Sequence, residues 1–193
     1  SIKQLKNKSM EIIYIDDGST DSSYAMYASF DLRHIKRGKK LTCNKGRAYA
    51  TQEGLSLAQG EWLYFVRSNE IILKTTLDNY LNIINNNKAK AYMGVVQYSS
   101  KDKVFEQYLN SRHRGVKRFP PGRNIHYKYL LFNNSIIHRS VFKSIKLNQK
   151  LGGYGGEELD FAYRLNRIYP NQIKACPGAI VIRNNYPSLA DHC

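Results

Sequence analysis

Short apolar runs alternate with longer segments of helical periodicity along most of this chain. The first run, Glu11–Asp16 (EIIYID), ends in a polar turn, and residues 61–66 (EWLYFV) form a second. Residues 45–59 and 75–86 carry apolar side chains at helical spacing. Alternation of strands and helices is typical of an α/β domain with a mostly parallel, Rossmann-like sheet flanked by helices. Ligands of such sheets bind at the carboxyl ends of the strands.

The same patterns predict the remaining elements. We expect helices over 22–28 and 157–169 and a short helix from residue 140, and strands over 91–98, 130–137 and 172–183. A chain of 193 residues, 42% of them hydrophobic, fits one domain with a real core.

Positive charge is concentrated in two stretches. Lys and Arg number 30 against 15 Asp and Glu, a net charge of +15. Residues 33–47 hold seven cations and no acid, and residues 101–130 hold eight cations and two acids. Such surfaces attract nucleic acid, anionic lipid or phosphorylated ligands. Nucleic acid is the least favoured of these, because zinc-finger spacing, an aromatic RNA-binding signature and a helix-turn-helix pattern are all absent from the sequence.

The cysteines and the hydropathy indicate the compartment. Three widely spaced cysteines without CxxC spacing do not suggest a disulfide framework or a zinc site. No apolar run reaches the ~20 residues of a membrane span. We therefore expect a cytoplasmic protein, with contact to the anionic inner face of the membrane as a secondary use of its charge.

The segment IDDGSTDSS, residues 15–23, places two carboxylates at the end of the first strand. Carboxylates at this position can accept hydrogen bonds from a nucleotide base or from ribose hydroxyls. An acidic turn that caps the next helix is the alternative interpretation.

Three blocks resemble, in order and spacing, the family 2 glycosyltransferases of GT-A fold. They are EIIYIDDGSTDSS, NKGRAYATQEGLSLAQGEWLYFVRSNE and GGYGGEELDFAYRL, and the last also resembles a galactosyltransferase-type C-terminal motif. The resemblance implies one domain over 1–193, with a nucleotide-binding half at about 1–100 and an acceptor half at about 101–193. It implies transfer of a sugar from a nucleotide-diphosphate donor, such as a UDP-sugar, to a saccharide or lipid-linked acceptor, usually with inversion.

The resemblance also assigns roles by position. Asp16 and Asp17 would contact the base and ribose. The segment Lys45, Gly46 and Arg47 would lie beside the nucleotide. Its cations could bind the negatively charged diphosphate.

Glu158 would be the catalytic base and Glu157 would bind the acceptor. Further acceptor contacts would come from Tyr154, Gly155 and Gly156 and from the basic loop 110–129, including Arg112 and Arg114.

The chain departs from the family at the metal site. Arg67 and Asn69 stand where an Asp-x-Asp motif would hold a divalent ion, and Arg183 stands where a late His is often a ligand. Either the guanidinium groups of Arg67 and Arg183 neutralise the diphosphate in place of a metal, or the site has decayed. Dependence on Mn²⁺ or Mg²⁺ is open, with Glu70 as the candidate ligand.

A second departure concerns the start of the chain. The family has an apolar strand ahead of the DDGS strand, but the ten residues before Glu11 are polar and basic. The predicted sheet therefore lacks its usual first strand, and either the chain is a fragment or another segment fills that place. Three hypotheses follow: an active glycosyltransferase, a degenerate GT-A protein that binds nucleotide weakly or not at all, and a basic nucleic-acid-binding module.

Overall fold

The computed structural model describes residues 10–31, 35–151 and 156–186. Seven strands lie in the order β1 (Glu11–Asp16), β2 (Ile35–Lys40), β3 (Trp62–Phe65), β4 (Ile71–Ile72), β5 (Ala91–Ser100), β6 (Ser135–His138) and β7 (Ile173–Tyr186). The helices are α1 (Ser23–Ser29), α2 (Arg47–Leu57), α3 (Lys74–Asn86), α4 (Lys103–Asn110), α5 (Ser140–Ser144) and α6 (Gly156–Ile168).

The strands form two sheets. Strands β1 and β2 pair in parallel, with Glu11 opposite Ile35. The larger sheet has the order β3-β6-β5-β7-β4, in which β3, β5 and β7 share one direction. Strands β6 and β4 run the opposite way. The predicted α/β architecture is confirmed, and the parallel pairings β1–β2 and β5–β7 form its longest ladders.

The larger sheet buries apolar side chains on both faces. Alternate residues of β5 point to opposite sides, as the period of a strand requires. Ala91, Met93 and Val95 join the core formed with α5 and α6. Tyr92 packs instead with Tyr80 and with other residues on the α3 side. The two cores hold the sheet between helical layers.

Asn134 connects three strands in the interior. Its φ is 65°, and its Nδ2 donates to the carbonyls of Val95 and Ala179, both at 2.8 Å. The hydroxyl of Tyr80 donates to the Asn134 carbonyl at 2.5 Å, and that of Tyr64 donates to Oδ1 at 3.0 Å. The two Nδ2 bonds give hydrogen-bond donors to carbonyls of β5 and β7 next to the register shift between Met93 and Val95.

Some sequence predictions need correction. The strand predicted over 130–137 covers only Ser135–His138, because the chain before it forms a short 3-10 helix, Tyr127–Tyr129, and then takes positive φ at Asn134. Strands β2 and β4 and helix α4 were not predicted. Leu81, one of the apolar residues at helical spacing within 75–86, is exposed rather than part of the core.

The expected absence of a first strand, of disulfides and of membrane-spanning helices can be compared with the described residues. Among the described strands, β1 pairs with β2 alone, and residues 1–9 lie outside the described ranges. Cys43 and Cys176 are both free thiols, and Cys193 is not described. Every helix of the described ranges falls short of the length and apolar character that a membrane span requires.

Candidate functional site

The carboxylates at the end of β1 have different surroundings. Asp16 is only 2% exposed; its Oδ1 accepts the N–H of Ser19 at 2.6 Å, while its Oδ2 has no hydrogen-bond partner among the described residues. Asp17 accepts the backbone N–H groups of Lys45 and Gly46 at 2.8 and 2.9 Å. Asp17 therefore holds the loop before α2, and Asp16 keeps one buried oxygen that a ligand could use.

The loop that Asp17 holds leads directly into α2. Gly46 has φ 89°, a conformation that favours glycine, and its peptide N–H faces Asp17. Lys45 is exposed and its ammonium lies 4.7 Å from the centre of the Tyr49 ring. Arg47 begins α2 and reaches across to α6, where its Nη2 lies 2.8 Å from Oε1 of Glu157.

The segment after β3 forms a second charged cluster. Oε2 of Glu70 accepts the N–H of Arg67 at 2.9 Å, and its Oε1 has no partner among the described residues. Burial raises the pKa of Glu70, although the nearby Arg67 and Arg183 act in the opposite direction. With its amide oxygen turned toward Arg183, Asn69 accepts from Nε and Nη2 at 3.2 and 3.1 Å.

The first turn of α6 supplies two buried carboxylates. Glu157 is 3% exposed and Glu158 is 5% exposed. The helix dipole favours acids at this position. Oε1 of Glu158 accepts the N–H of Phe132 at 3.2 Å and lies 3.6 Å from Nη2 of Arg67. Oε2 of Glu157 has no hydrogen-bond partner among the described residues.

The structure thus joins two arginines from the first half of the chain to the acids of α6. Arg47 meets Glu157, and Arg67 meets Glu158, so the two predicted halves contact each other through two ion pairs. Arg183 joins this group through Asn69.

The described arginines that were predicted to contact the acceptor do not contact the acids of α6. Arg112 and Arg114 are exposed, and the Arg114 guanidinium stacks 4.6 Å from the Tyr108 ring centre. In the described part of the chain, no hydrogen bond or ion pair links either arginine to Glu157 or Glu158. Gly156 is the first residue of α6, whereas Tyr154 and Gly155 lie outside the described residues.

Phe132 is a site residue that the sequence patterns missed. Its peptide N–H donates to Glu158, and its ring stacks on Phe65 at 4.6 Å between ring centres. The contribution to Glu158 comes from the backbone, which carries no side-chain signal, so residue type could not have indicated it.

The groups present at the expected metal position do not fit a divalent ion. Two of the three side chains there are guanidinium groups, and the amide oxygen of Asn69 already accepts from Arg183. Glu70 is the one acid of the described segment after β3, and the other nearby carboxylate, Glu158, faces Arg67, whereas Mg²⁺ and Mn²⁺ prefer several oxygen ligands. The described residues contain no group of three or more His, Cys, Asp or Glu side chains arranged to bind a metal.

The chain is similar in sequence to known glycosyltransferases. The sequence model described as glycosyl transferase family 2 matches residues 1–146. The chain is 26% identical over 168 residues to glycosyltransferase GlyG of Streptococcus pneumoniae, an alignment that covers 84% of this chain and 56% of GlyG. It is 33% identical over 82 residues to an uncharacterized glycosyltransferase of Haemophilus influenzae, covering 40% of this chain and 31% of that protein.

Solved structures show the same fold. S. aureus TarS 1-349 in complex with UDP superposes with a TM-score of 0.66 at 20% identity, covering 90% of this chain and 51% of that one. The TarS complex with UDP-GlcNAc gives 0.65 at 18% identity, with 92% and 50% covered. The chain therefore has the GT-A-like α/β fold of these structures and spans about half the length of TarS 1-349 and of GlyG.

Proposed function

The chain belongs to glycosyl transferase family 2, and on that premise we propose that it transfers a sugar from a UDP-sugar to a saccharide or lipid-linked acceptor with inversion. The observation that carries this proposal is the meeting of donor-side cations and α6 carboxylates. Arg67 lies 3.6 Å from Glu158, and Arg47 lies 2.8 Å from Glu157. During transfer the sugar lies between the diphosphate and the catalytic base. Arg67 is the proposed diphosphate ligand and Glu158 the proposed base, and the two side chains are neighbours.

The nucleotide would bind at the end of β1. The free Oδ2 of Asp16 is buried and can accept a hydrogen bond from the base or from a ribose hydroxyl. Asp17 would act by positioning, since both its oxygens hold the Lys45–Gly46 backbone. UDP and UDP-GlcNAc are the ligands named for the TarS structures, which supports a uridine nucleotide.

The diphosphate would be neutralised by arginine. Arg67 lies just after β3 and Arg183 lies near the end of β7, and planar guanidinium groups bind phosphate oxygens in a bidentate manner. The leaving UDP gains negative charge as the bond to the sugar breaks, so fixed cations there lower the barrier. Because the groups at this position do not fit a divalent ion, we assign the charge stabilisation to Arg67 and Arg183.

Glu158 would serve as the catalytic base. Its carboxylate takes the proton from an acceptor hydroxyl while that oxygen attacks the anomeric carbon, and the bond from this carbon to the diphosphate oxygen breaks. Attack from the face opposite UDP inverts the anomeric configuration. The N–H of Phe132 orients Glu158, and the free Oε2 of Glu157 is available to an acceptor hydroxyl. These two roles also rest on the resemblance of residues 152–165 to a galactosyltransferase-type C-terminal motif.

Replacement of the base tests this proposal. Glu158→Gln keeps the size and the acceptor oxygen for Phe132 but cannot take a proton, so release of UDP from UDP-sugars should fall about 10²–10⁴-fold. Glu61→Gln changes an exposed carboxylate outside the site and should leave turnover unchanged. Equal turnover by wild type and Glu158→Gln would remove Glu158 from the role.

A degenerate, non-catalytic protein is the second candidate. The observation that favours it is the Arg67–Glu158 pair itself, in which a cation occupies the neighbourhood of the proposed base. This alternative predicts that none of a panel of UDP-sugars is turned over by the wild-type chain with any saccharide acceptor, even where UDP binds. Turnover that depends on Glu158 would exclude it.

We also propose that α4 contacts an anionic membrane. Val104 is 80% exposed and Tyr108 59% exposed on one face of α4. Exposed cations surround them, namely Lys101, Lys103, Arg112 and Arg114. Apolar side chains among cations suit the interface of an acidic bilayer.

Vesicle sedimentation tests this contact. Binding to phosphatidylglycerol vesicles should exceed binding to phosphatidylcholine vesicles and should weaken in Val104→Ser/Tyr108→Ser. Met26→Ser, which alters an equally exposed apolar residue of α1, should bind as wild type does. Equal binding by all three proteins would contradict the assignment to α4.

A further inference from the structure

We infer that the cavity between β5, β7 and α4 binds a small oxyanion, the phosphate or carboxylate group of a ligand. The cavity has a volume of about 280 Å³ and is lined by Val95, Gln97, Asn110, Lys117, Pro177 and Ile180. This is slightly less than the ~300–1,000 Å³ of typical small-molecule sites, so the ligand group it accepts is small.

Lys117 is the cation that lines the cavity. It is half-buried, and its Nζ lies 3.5 Å from Oδ1 of Asn110. That amide is already engaged, since it accepts from the N–H of Tyr98 at 2.9 Å and donates to the Tyr98 carbonyl at 2.7 Å. Among the residues that the structure describes, no carboxylate forms an ion pair with Lys117.

The electrostatics of the cavity favour an anion. Burial lowers the pKa of Lys117, and the nearby Arg114 lowers it further. Both effects disfavour the charged ammonium, and an anionic ligand reverses them by compensating the charge. The apolar side chains of Val95, Pro177 and Ile180 reduce the local dielectric, so this attraction is stronger than it would be in water. The amide of Gln97 adds a hydrogen-bond donor.

The position of the cavity suggests what the anion belongs to. Gln97 precedes Tyr98, which pairs with Arg183 in the β5–β7 ladder. Because side chains alternate along a strand, the cavity, which is lined by Val95 and Ile180, lies on the other face of this ladder from Arg183, the face that packs against α6. Resting on the proposed function, we assign the cavity to an acidic group of the acceptor, because the donor's diphosphate is accounted for by Arg67 and Arg183.

Lysine labelling tests the site without catalysis. The chain is acetylated with an amine-reactive ester while saturating UDP occupies the donor site, and each lysine is quantified by peptide mass spectrometry. Inorganic phosphate or acetate, compared with chloride at equal ionic strength, should slow labelling of Lys117 several-fold. Labelling of the exposed Lys150 should not change.

The two anions separate the two chemical sources. Protection by phosphate alone assigns a phosphorylated ligand, and protection by acetate alone assigns a carboxylate. Lys117→Gln should also lose the phosphate-dependent rise in Tm that Lys150→Gln retains. Labelling of Lys117 at the same rate in phosphate, acetate and chloride would overturn the inference, and it would leave the test of Glu158 unaffected.

Discussion

Nη2 of Arg47 lies 2.8 Å from Oε1 of Glu157, and this pair joins the first turn of α2 to the first turn of α6. The two helices are separated by about 100 residues of sequence. Because Glu157 is buried, Arg47 supplies the charge that makes its burial tolerable. The pair is therefore an ion pair that ties the start of α2 to the start of α6, and it links the proposed nucleotide and acceptor sides.

Removal of one partner should cost stability. Arg47→Gln leaves the buried carboxylate of Glu157 without its cation and should lower the free energy of unfolding by about 1–3 kcal/mol, less than for a fully buried pair because the Arg47 side chain is 40% exposed. Arg47→Gln/Glu157→Gln should recover part of this loss. Urea denaturation measures both, and an Arg47→Gln midpoint equal to that of wild type would contradict the role of the pair.

Asn134 should be a sensitive position in the core. Asn134→Gly tolerates the positive φ but leaves the carbonyls of Val95 and Ala179 without their donor, so the free energy of unfolding should fall by about 2–4 kcal/mol. Asn171→Gly is a matched control, since Asn171 also has positive φ, at 60°, but is exposed. Similar stability of the two variants would show that the buried bonds of Asn134 do not matter.

The raised pKa of Glu70 predicts a dependence of stability on pH. In the folded chain this carboxyl holds its proton above its ordinary pKa of 4.5, because burial disfavours the charge. The folded state then binds more protons than the unfolded state, so stability falls as pH rises from about 4.5 through the raised pKa. Glu70→Gln should show a shallower fall in Tm over this window, and an unchanged slope would contradict the assignment.

Asp17 should increase the affinity for nucleotide by fixing the loop before α2. Asp17→Ala releases the backbone of Lys45 and Gly46, two charge-assisted hydrogen bonds, and should weaken UDP binding about tenfold or more. Asp21→Ala is the control, since its carboxylate is at the surface and bonds the nearby Ser23. Calorimetric titration compares them, and equal affinities would mean that the loop keeps its place without Asp17.

The sequence predicted the parts of the fold that rest on apolar periodicity. The strands β1, β3 and β5 and the helices α3 and α6 have such patterns, and all form within a few residues of their predicted bounds. Helix α2 also forms as predicted, although its apolar side chains do not gather on one face. Strand β2 was missed because its sequence, IKRGKK, is mostly cationic. Lysines are common on edge strands, where side chains face water and the ladder is formed by the backbone.

The sequence could indicate those residues of the candidate site whose side-chain type and motif suggest a function. The motifs indicated Asp16, Glu157 and Glu158, and the structure places each of them in a buried position with an assigned neighbour. The ion pairs between distant segments and the N–H of Phe132 could not be predicted, because they depend on how the elements pack. Arg47 was expected to meet diphosphate, and its pairing with Glu157 emerged only from the fold.

The most direct test is a calorimetric titration of UDP into the chain with EDTA present, and again with Mn²⁺. Arg67→Gln and Arg183→Gln are titrated beside it, with Arg123→Gln as an exposed control. We predict saturable UDP binding in EDTA that both site variants weaken and the control does not. Binding that appears only with Mn²⁺, or no binding under either condition, would contradict a donor site in which arginine neutralises the diphosphate.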